Sequence, residues 1–212
     1  MYVVLENQYE RRETMDFITS DLHFGHRDIV GEDSFCPTRS HFKTAEEMND
    51  YLIKIHNSTV SNEDTLYHLG DFSINLKNQD VFSLLCKMNG QIQFFKGNHD
   101  SQRMLKFLEK NNFKLEDGRD KFVTYEVGTR LKKNGVVYYL SHFPMIVGRK
   151  SKNLRSICGH IHEEFADGPN IINIGIDSPE LLVNLQFGEP LKLDLAIDLV
   201  EQKHKEYIDS MK

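Results

Sequence analysis

Carboxylate, amide and imidazole side chains recur in this sequence directly after short apolar segments. DLH follows DFITS, GD follows TLYHL, GNHD follows QIQFFK, SH follows VVYYL, and GHIH follows LRSIC. Such polar groups are costly to bury without partners, and oxygen and nitrogen donors of these types are ligands for divalent metal ions. The sequence therefore predicts a metal site with seven donors: Asp21, His23, Asp71, Asn98, His142, His160 and His162.

The spacing of these donors favours one site. Ligands gather at the carboxyl ends of strands in α/β sheets, so five strand ends can converge. Asp21 and His23, like His160 and His162, are two residues apart, and such pairs project from the same face of an extended backbone. Glycine precedes three of the donors, which relieves crowding where the backbone turns sharply or approaches a ligand.

The number and type of donors predict two ions. Seven donors exceed the needs of one four-coordinate ion and suit two ions that share a bridging carboxylate. A set of oxygen and imidazole donors without a thiolate suits Mn²⁺, Fe, Ni²⁺ or Zn²⁺ and disfavours Ca²⁺. The three cysteines are widely spaced, so we expect Cys36, Cys86 and Cys158 to be small core residues rather than disulfide partners or zinc ligands. A thiolate ligand role is the less favoured alternative for Cys158.

Strands and helices that could position the donors alternate in the first half of the chain. Strands are expected at 17–19, 65–69 and 91–95. A Thr44-x-x-Glu47 capping box opens the first helix, which carries Met48, Leu52 and Ile55 inward. The second helix is predicted from Val81, Leu84, Leu85 and Met88, and the third begins at about Ser101.

The second half of the chain is predicted to be richer in β-structure. Short strands are expected at 122–127, 136–140, 154–158 and 171–174. A final helix near 194–208 is predicted to carry Leu195, Leu199 and Val200 inward.

Length and composition describe one globular domain at 15–212, preceded by a leader or edge strand at 1–14. Hydrophobic residues make up 39% of the chain and charged residues 27%, as in ordinary soluble proteins. The apolar runs are too short for a membrane span or a secretory signal, so we expect a cytoplasmic protein with no membrane partner. The net charge of −6 argues against an extended basic groove for nucleic acid.

The five motifs D-x-H, G-D, G-N-H-D, S-H and G-H-x-H, in this order, resemble those of the calcineurin-like metallophosphoesterases. The resemblance implies an α/β fold, a four-layer α-β-β-α sandwich of two mixed β-sheets flanked by helices. It also implies that Asp21, His23 and His162 hold one metal ion, that Asn98, His142 and His160 hold the other, and that Asp71 bridges them. His99 would be the catalytic histidine near the leaving group, and Asp100 would orient it.

The activity implied by this resemblance is hydrolysis of a phosphate ester by attack of a metal-bridging hydroxide. We expect a phosphodiesterase that acts on a small or nucleotide-type substrate with two divalent transition-metal ions, Mn²⁺ before Fe, Ni²⁺ or Zn²⁺. The alternatives are a nuclease or RNA-end-processing phosphatase with the same centre, or a non-enzymatic scaffold of the same fold. The sequence leaves the oligomeric state open.

Several further polar residues have two interpretations each. His26 could bind a substrate phosphate or make a hydrogen bond to a metal ligand. A basic segment between the S-H and G-H-x-H motifs could contact a second phosphate, although a solvated loop is favoured; it contains Arg149, Lys150, Lys152 and Arg155. His56 and His68 are predicted to be packing residues of the core or surface.

Overall fold

The computed structural model of the protein describes residues 13–149, 151–181 and 185–212. The predicted leader or edge strand at 1–14 therefore lies outside the described residues except for Glu13 and Thr14.

Nine strands and four α-helices form in the described ranges. The strands are β1 (Asp16–Thr19), β2 (Thr65–His68), β3 (Gln91–Phe95), β4 (Phe122–Tyr125), β5 (Gly128–Lys133), β6 (Val136–Ser141), β7 (Leu154–Cys158), β8 (Ile171–Asn173) and β9 (Leu191–Lys192). The helices are α1 (Ala45–Thr59), α2 (Asn78–Lys87), α3 (Gln102–Lys110) and α4 (Leu193–Ser210), with short 3₁₀ turns at Arg27–Ile29 and Pro37–Arg39. No helix in these ranges combines the length and the apolar composition that a bilayer crossing requires.

The strands form two mixed sheets, which confirms the predicted fold class. The first sheet has the order β4-β3-β2-β1-β9, with β1 to β4 parallel and β9 antiparallel. The second has the order β5-β6-β7-β8, with β6 to β8 parallel and β5 antiparallel. Parallel pairing places the carboxyl ends of neighbouring strands at one edge of each sheet. A bridge between Ser20 and Gly175 joins these edges.

Side chains that alternate along the strands build two cores. Phe17 and Phe94 belong to a core that α1, α2 and α3 cover, whereas Ile18 and Phe95 belong to a core shared with the second sheet. Because successive side chains of a strand point to opposite faces, the first sheet is buried on both sides. The strands are thereby held rigidly beneath the donors that follow them.

Hydroxyl side chains cap two helix starts, of which the one at Thr44 was predicted from its capping box. The Thr44 hydroxyl accepts a hydrogen bond from the Glu47 N–H at 3.1 Å, and the Ser101 hydroxyl accepts one from the Met104 N–H at 3.1 Å. The capping oxygens satisfy backbone donors that have no partner within the first helical turn.

Three predictions about local structure are wrong. The strand predicted at 122–127 ends at Tyr125, and the separate strand β5 was not predicted because its sequence GTRLKK is mostly polar and exposed. Leu195 does not point inward but is 42% exposed, because the buried face of α4 is formed by Leu193, Ala196, Ile197, Val200 and His204. Cys86 is exposed, whereas Cys36 and Cys158 are buried as predicted.

Candidate metal centre

The side chains predicted as ligands meet at the carboxyl edges of the two sheets. They come from the residues that follow β1, β2, β3, β6 and β7. The structure contains two groups that could each hold a metal ion, and within each group the ligand atoms lie within 4.8 Å of one another. The first ligand group is Asp21, His23 and His162, and the second ligand group is Asp71, His142 and His160.

Asn98 completes the second ligand group. Its Oδ1 lies 2.8 Å from His142 Nε2 and 2.8 Å from His160 Nδ1. Three potential ligand atoms from β3, β6 and β7 thus converge on one point.

The Asp71 carboxylate belongs to the second ligand group and also lies near His23 of the first. Its Oδ2 lies 3.4 Å from His142 Nε2 in the second group and 3.7 Å from His23 Nε2 in the first. Burial alone would raise the pKa of Asp71, but the hydrogen bond and charge of His142 lower it to about 2. This ionised carboxylate occupies the position that a bridging ligand would need.

His23 shows that the residues present fit a metal ion. The ring is only 2% exposed, and neither of its nitrogens has a hydrogen-bond partner. Burial lowers the pKa of His23 to about 2, so the imidazole is neutral and keeps a free lone pair. Buried polar atoms without partners are rare in native proteins. A cation beside Asp21 and Asp71 would give a ring nitrogen of His23 a partner.

The backbone at the donors is strained. Asp21, His23, Asp71, His160 and His162 have φ of 62°, 53°, 52°, 74° and 44°, in the left-handed region. A non-glycine residue there costs roughly 1–3 kcal/mol, and such strain clusters at functional sites. In the described ranges, only two other non-glycine residues share this conformation, Asn75 and Asn134.

Two glycines allow the strand ends to approach the carboxylates. A Cβ at Gly97 would lie 2.2 Å from Asp71 Oδ1, and one at Gly159 would lie 2.4 Å from Asp21 Oδ2. No side chain fits at these distances, so the crowding predicted at these glycines is confirmed.

Asp100 makes its hydrogen bonds to backbone groups of the centre, and its predicted role toward His99 stays a prediction. The Asp100 carboxylate accepts hydrogen bonds from the backbone N–H groups of Asp71, Phe72 and Gly97 at 2.8, 3.2 and 2.9 Å. In the described part of the chain it makes none to the His99 ring. Asp100 therefore fixes the backbone turns that carry Asp71 and Asn98.

His99 lies at the open side of the centre. Its ring is 44% exposed, and its Nε2 lies 3.9 Å from Asp71 Oδ2. The His99 N–H donates to Asp71 Oδ1 at 2.8 Å, which anchors the backbone while leaving the ring accessible.

A buried ion pair behind the first ligand group was not predicted. Arg39 Nε lies 2.9 Å from Asp177 Oδ1, and Nη2 lies 2.5 Å from Oδ2. Both side chains are fully buried, and the charge of Arg39 keeps the pKa of Asp177 below its usual value although burial alone would raise it. The arginine also donates to the carbonyl oxygens of Asp21 and Leu22 at 2.6 and 2.9 Å.

Asp177 connects this ion pair to a ligand. Its Oδ2 lies 3.2 Å from His162 Nδ1, so the other ring nitrogen of His162 is the one left to bind an ion. Asp177 follows the apolar segment IINIGI, and the rule that found the other strand-end donors would also have found it. No local signal marks Arg39, because the pairing spans 138 positions of the sequence.

Two sequence relatives match most of this chain. No protein-family model matches the chain. The uncharacterized protein MJ1445 of Methanocaldococcus jannaschii is 31% identical over 187 residues, which cover 88% of this chain and 91% of the relative. The chain belongs to the family of that protein. The Gene 66 protein of Mycobacterium phage L5 is 26% identical over 216 residues, covering 90% of this chain and 96% of the relative.

One solved structure with a TM-score above 0.5 shares the fold of this chain. A protein of unknown function from Aquifex aeolicus, AQ665, is 20% identical with a TM-score of 0.59, covering 88% of this chain and 98% of that one. Yfce, a phosphoesterase from E. coli, is 14% identical with a TM-score of 0.40, covering 78% of this chain and 80% of that one. At 20% identity the likeness to AQ665 concerns the fold and leaves the activity to the chemistry of the site.

The remaining predicted site residue, His26, lies next to the first ligand group. Its ring centroid is 5.4 Å from that of His23, and its Nδ1 is buried without a hydrogen-bond partner. Burial lowers the pKa of His26. In the described part of the chain its side chain makes no hydrogen bond to a ligand, so a role toward substrate stays a prediction.

The predicted basic loop is wrong in part. Arg155 lies in β7, is 1% exposed and donates to Glu201 Oε2 at 2.9 Å. Arg149 is exposed and pairs with Asp167 at 2.9 Å, and Lys152 is exposed, whereas Lys150 lies outside the described residues. This segment therefore presents less free positive charge than its sequence suggests.

The other predicted packing residues are in the core. Cys158 is fully buried, and its thiol donates to the Ile172 carbonyl at 3.4 Å. His56 and His68 are also buried. These outcomes agree with the packing interpretation for all three.

Proposed function

We propose that this chain is a dinuclear-metal-dependent phosphoesterase, specifically a phosphodiesterase of the calcineurin-like type acting on a small or nucleotide-type substrate. The observation that carries the proposal is the pair of ligand groups joined at Asp71. The unpartnered, buried nitrogens of His23 give the chemical reason for a cation there.

In this proposal Asp21, His23 and His162 hold one ion, Asn98, His142 and His160 hold the other, and Asp71 bridges them. Two divalent transition-metal ions, with Mn²⁺ as the first candidate, would supply a hydroxide nucleophile at neutral pH and stabilise negative charge on the phosphoryl oxygens. The carboxylates of Asp21 and Asp71 would hold the two cations close together, and imidazoles that bind them in the neutral form would leave the centre positive. An anionic ester is therefore attracted although the whole chain carries a net charge of −6.

His99 is assigned to the leaving group. Its exposed ring projects beside the bridging carboxylate, and its backbone is fixed by the hydrogen bond to Asp71. From there it could donate a proton to the departing oxygen, a role typically worth about 10²- to 10⁴-fold in rate. Asp100 contributes by fixing the turn that presents His99 rather than by contacting its ring.

The nuclease alternative is less well supported than the small-ester reading. Its sequence evidence was the basic segment, and there Arg155 is buried and Arg149 is paired with an acid. The scaffold alternative requires a centre that binds no ions, so metal analysis distinguishes it from an enzyme.

The test combines metal analysis with an activity panel. The purified protein is stripped with chelator, reloaded with Mn²⁺, and assayed on aryl monoesters, aryl diesters, cyclic nucleotides and oligonucleotides. We expect about two ions per chain and diester hydrolysis that chelation abolishes and Mn²⁺ restores. Failure to bind a transition metal offered in excess, or binding without hydrolysis of any ester, would contradict the proposal.

A further inference from the structure

Exposed apolar side chains are concentrated on the loops that carry the predicted ligands. The described ranges contain nine large hydrophobic side chains that are exposed. Five of them lie on the three loops that also carry predicted ligands: Phe35, Phe143, Met145, Ile146 and Phe165. Grouped apolar exposure on a soluble protein marks a binding surface more often than it marks accident.

Phe143 is held directly against the second ligand group. Its ring centroid lies 4.6 Å from that of His160 and 5.0 Å from that of His142, in edge contacts, and the side chain is 50% exposed. The buried Ser141 hydroxyl donates to the Phe143 carbonyl at 2.8 Å, and Pro144 follows. The ring is thus fixed beside the ligands while part of its surface stays open.

Phe35 contacts His26, which in turn contacts His23 of the first ligand group. Its side chain is 67% exposed, and its ring centroid is 5.8 Å from that of His26, which is 5.4 Å from His23. The loop is fixed because the Ser34 hydroxyl donates to the Ile29 carbonyl at 2.7 Å and accepts from the Cys36 N–H at 3.0 Å. One exposed phenyl ring thus contacts the second ligand group directly, and a second is linked to the first ligand group through His26.

The position of these rings limits what they can bind. A phosphate held at the centre places its organic groups over the surrounding loops, where the rings lie. Phenyl rings bind planar aromatic groups by stacking and bind alkyl or hydroxyl groups less well. Arg149 and Arg155 are engaged by Asp167 and Glu201, so the segment after Phe143 is better suited to a ring than to a second phosphate.

We propose that the substrate is a diester whose retained group, the one that stays on phosphorus, carries a planar aromatic ring, of which a nucleoside is the natural example, and that Phe143 is its specificity-determining residue, assisted by Phe35. This inference rests on the proposed function, since it assumes that the phosphate binds at the two ligand groups. The class of substrate is set by stacking beside the centre rather than by hydrogen bonds to the base.

The experiment uses two diesters with the same leaving group. The Mn²⁺-loaded protein is assayed on p-nitrophenyl thymidine 5′-phosphate and on methyl p-nitrophenyl phosphate. We expect kcat/KM to favour the nucleoside ester by about tenfold or more, as the loss or gain of one base stack would give. In Phe143→Leu, which keeps an apolar side chain of similar size, this preference should collapse, mainly through KM, and Phe143→Tyr should restore it.

A binding measurement separates this inference from the proposed function. Titration calorimetry compares thymidine 5′-monophosphate with methyl phosphate on the Mn²⁺-loaded protein, and Phe143→Leu should lose the difference in affinity while keeping the same metal content. Phe113→Leu is the matched control, because this exposed ring contacts Phe122 at the amino end of β4, whereas the predicted ligands follow the carboxyl ends of their strands. An unchanged preference in Phe143→Leu, with both esters still hydrolysed, overturns the inference alone. Hydrolysis of neither ester overturns the proposed function as well.

Discussion

The two ligand groups are held in place by different means. The first depends on a buried ion pair, Arg39 with Asp177, which fixes His162 and the backbone carbonyl of Asp21. The second depends on backbone groups: His142 Nδ1 lies 2.9 Å from the Leu69 carbonyl, and Asp100 fixes the turn at Asp71. A charged pair that spans distant loops can be broken by one substitution, whereas hydrogen bonds within the strand ends are shared among several residues. The first group should therefore be the more vulnerable to a change outside the ligands themselves.

Removing the charge of Asp71 should weaken both ligand groups alike, since its carboxylate faces both of them. In Asp71→Asn we expect affinity for both ions to fall by more than about 100-fold and turnover to be lost, because a neutral amide cannot hold two cations together. Metal analysis after dialysis against limiting Mn²⁺ measures the stoichiometry. Asp117→Asn changes an exposed acid paired with Arg119 and serves as the control. Binding of both ions with unchanged affinity in Asp71→Asn would show that Asp71 does not bridge.

Substitution of His99 should affect neither group's ion. In His99→Ala we expect two bound ions but a loss of about 10²- to 10⁴-fold in kcat for esters with poor leaving groups, because no side chain donates a proton to the departing oxygen. A p-nitrophenyl ester provides the internal control, since its leaving group needs little protonation and should lose less. Equal losses for good and poor leaving groups would remove His99 from that role.

Substitution of Asp177 should weaken metal binding at the first ligand group and leave the second unchanged. Asp177→Asn weakens the hold on His162 and leaves the buried charge of Arg39 without its partner. We expect affinity for one ion to fall by about 10- to 100-fold while the second ion binds as before, together with a lower melting temperature. Calorimetric titration of the metal-free protein resolves the two binding steps.

Asp100→Asn is the matched control, because Asp100 is also a buried carboxylate that touches no predicted ligand atom but lies behind the second group. If both variants weaken both ions equally, the two groups do not have independent supports.

The sequence predicts the features that depend on neighbouring residues better than those that depend on distant contacts. The donors could be predicted because each follows an apolar strand at short range, and the helix starts at Thr44 and Ser101 could be predicted because a capping side chain acts within one turn. The pairing of Arg39 with Asp177 could not, because it depends on how the loop at 31–43 folds over the end of β8. Strand β5 was missed for the opposite reason, since a polar edge strand is stabilised by its pairing with β6 rather than by its own apolar residues.

The smallest expected effect concerns His56, a buried histidine outside the centre, and is a change in how stability depends on pH. Unlike His23, this histidine has a backbone hydrogen-bond partner. His56 is buried, its Nε2 lies 3.1 Å from the Asn89 carbonyl, and burial lowers its pKa to about 4. Between about pH 6.5 and 4 the unfolded chain binds a proton that folded His56 does not, so stability falls as the pH is lowered. We expect the loss in unfolding free energy from pH 7 to pH 5 to be about 2 kcal/mol smaller in His56→Gln than in the wild type.

Urea unfolding of both proteins at pH 7 and pH 5, in the presence of chelator, measures this difference. Gln can still donate to the Asn89 carbonyl but does not titrate, so packing and hydrogen bonding are nearly preserved. Some dependence on pH should remain, because burial also lowers the pKa of His68, to about 3. Identical slopes in the two proteins would mean that His56 is not held neutral. A reduced slope would show that His56, whose Nε2 has a backbone partner, stays neutral in the folded protein without an ion, whereas neither ring nitrogen of His23 has a hydrogen-bond partner.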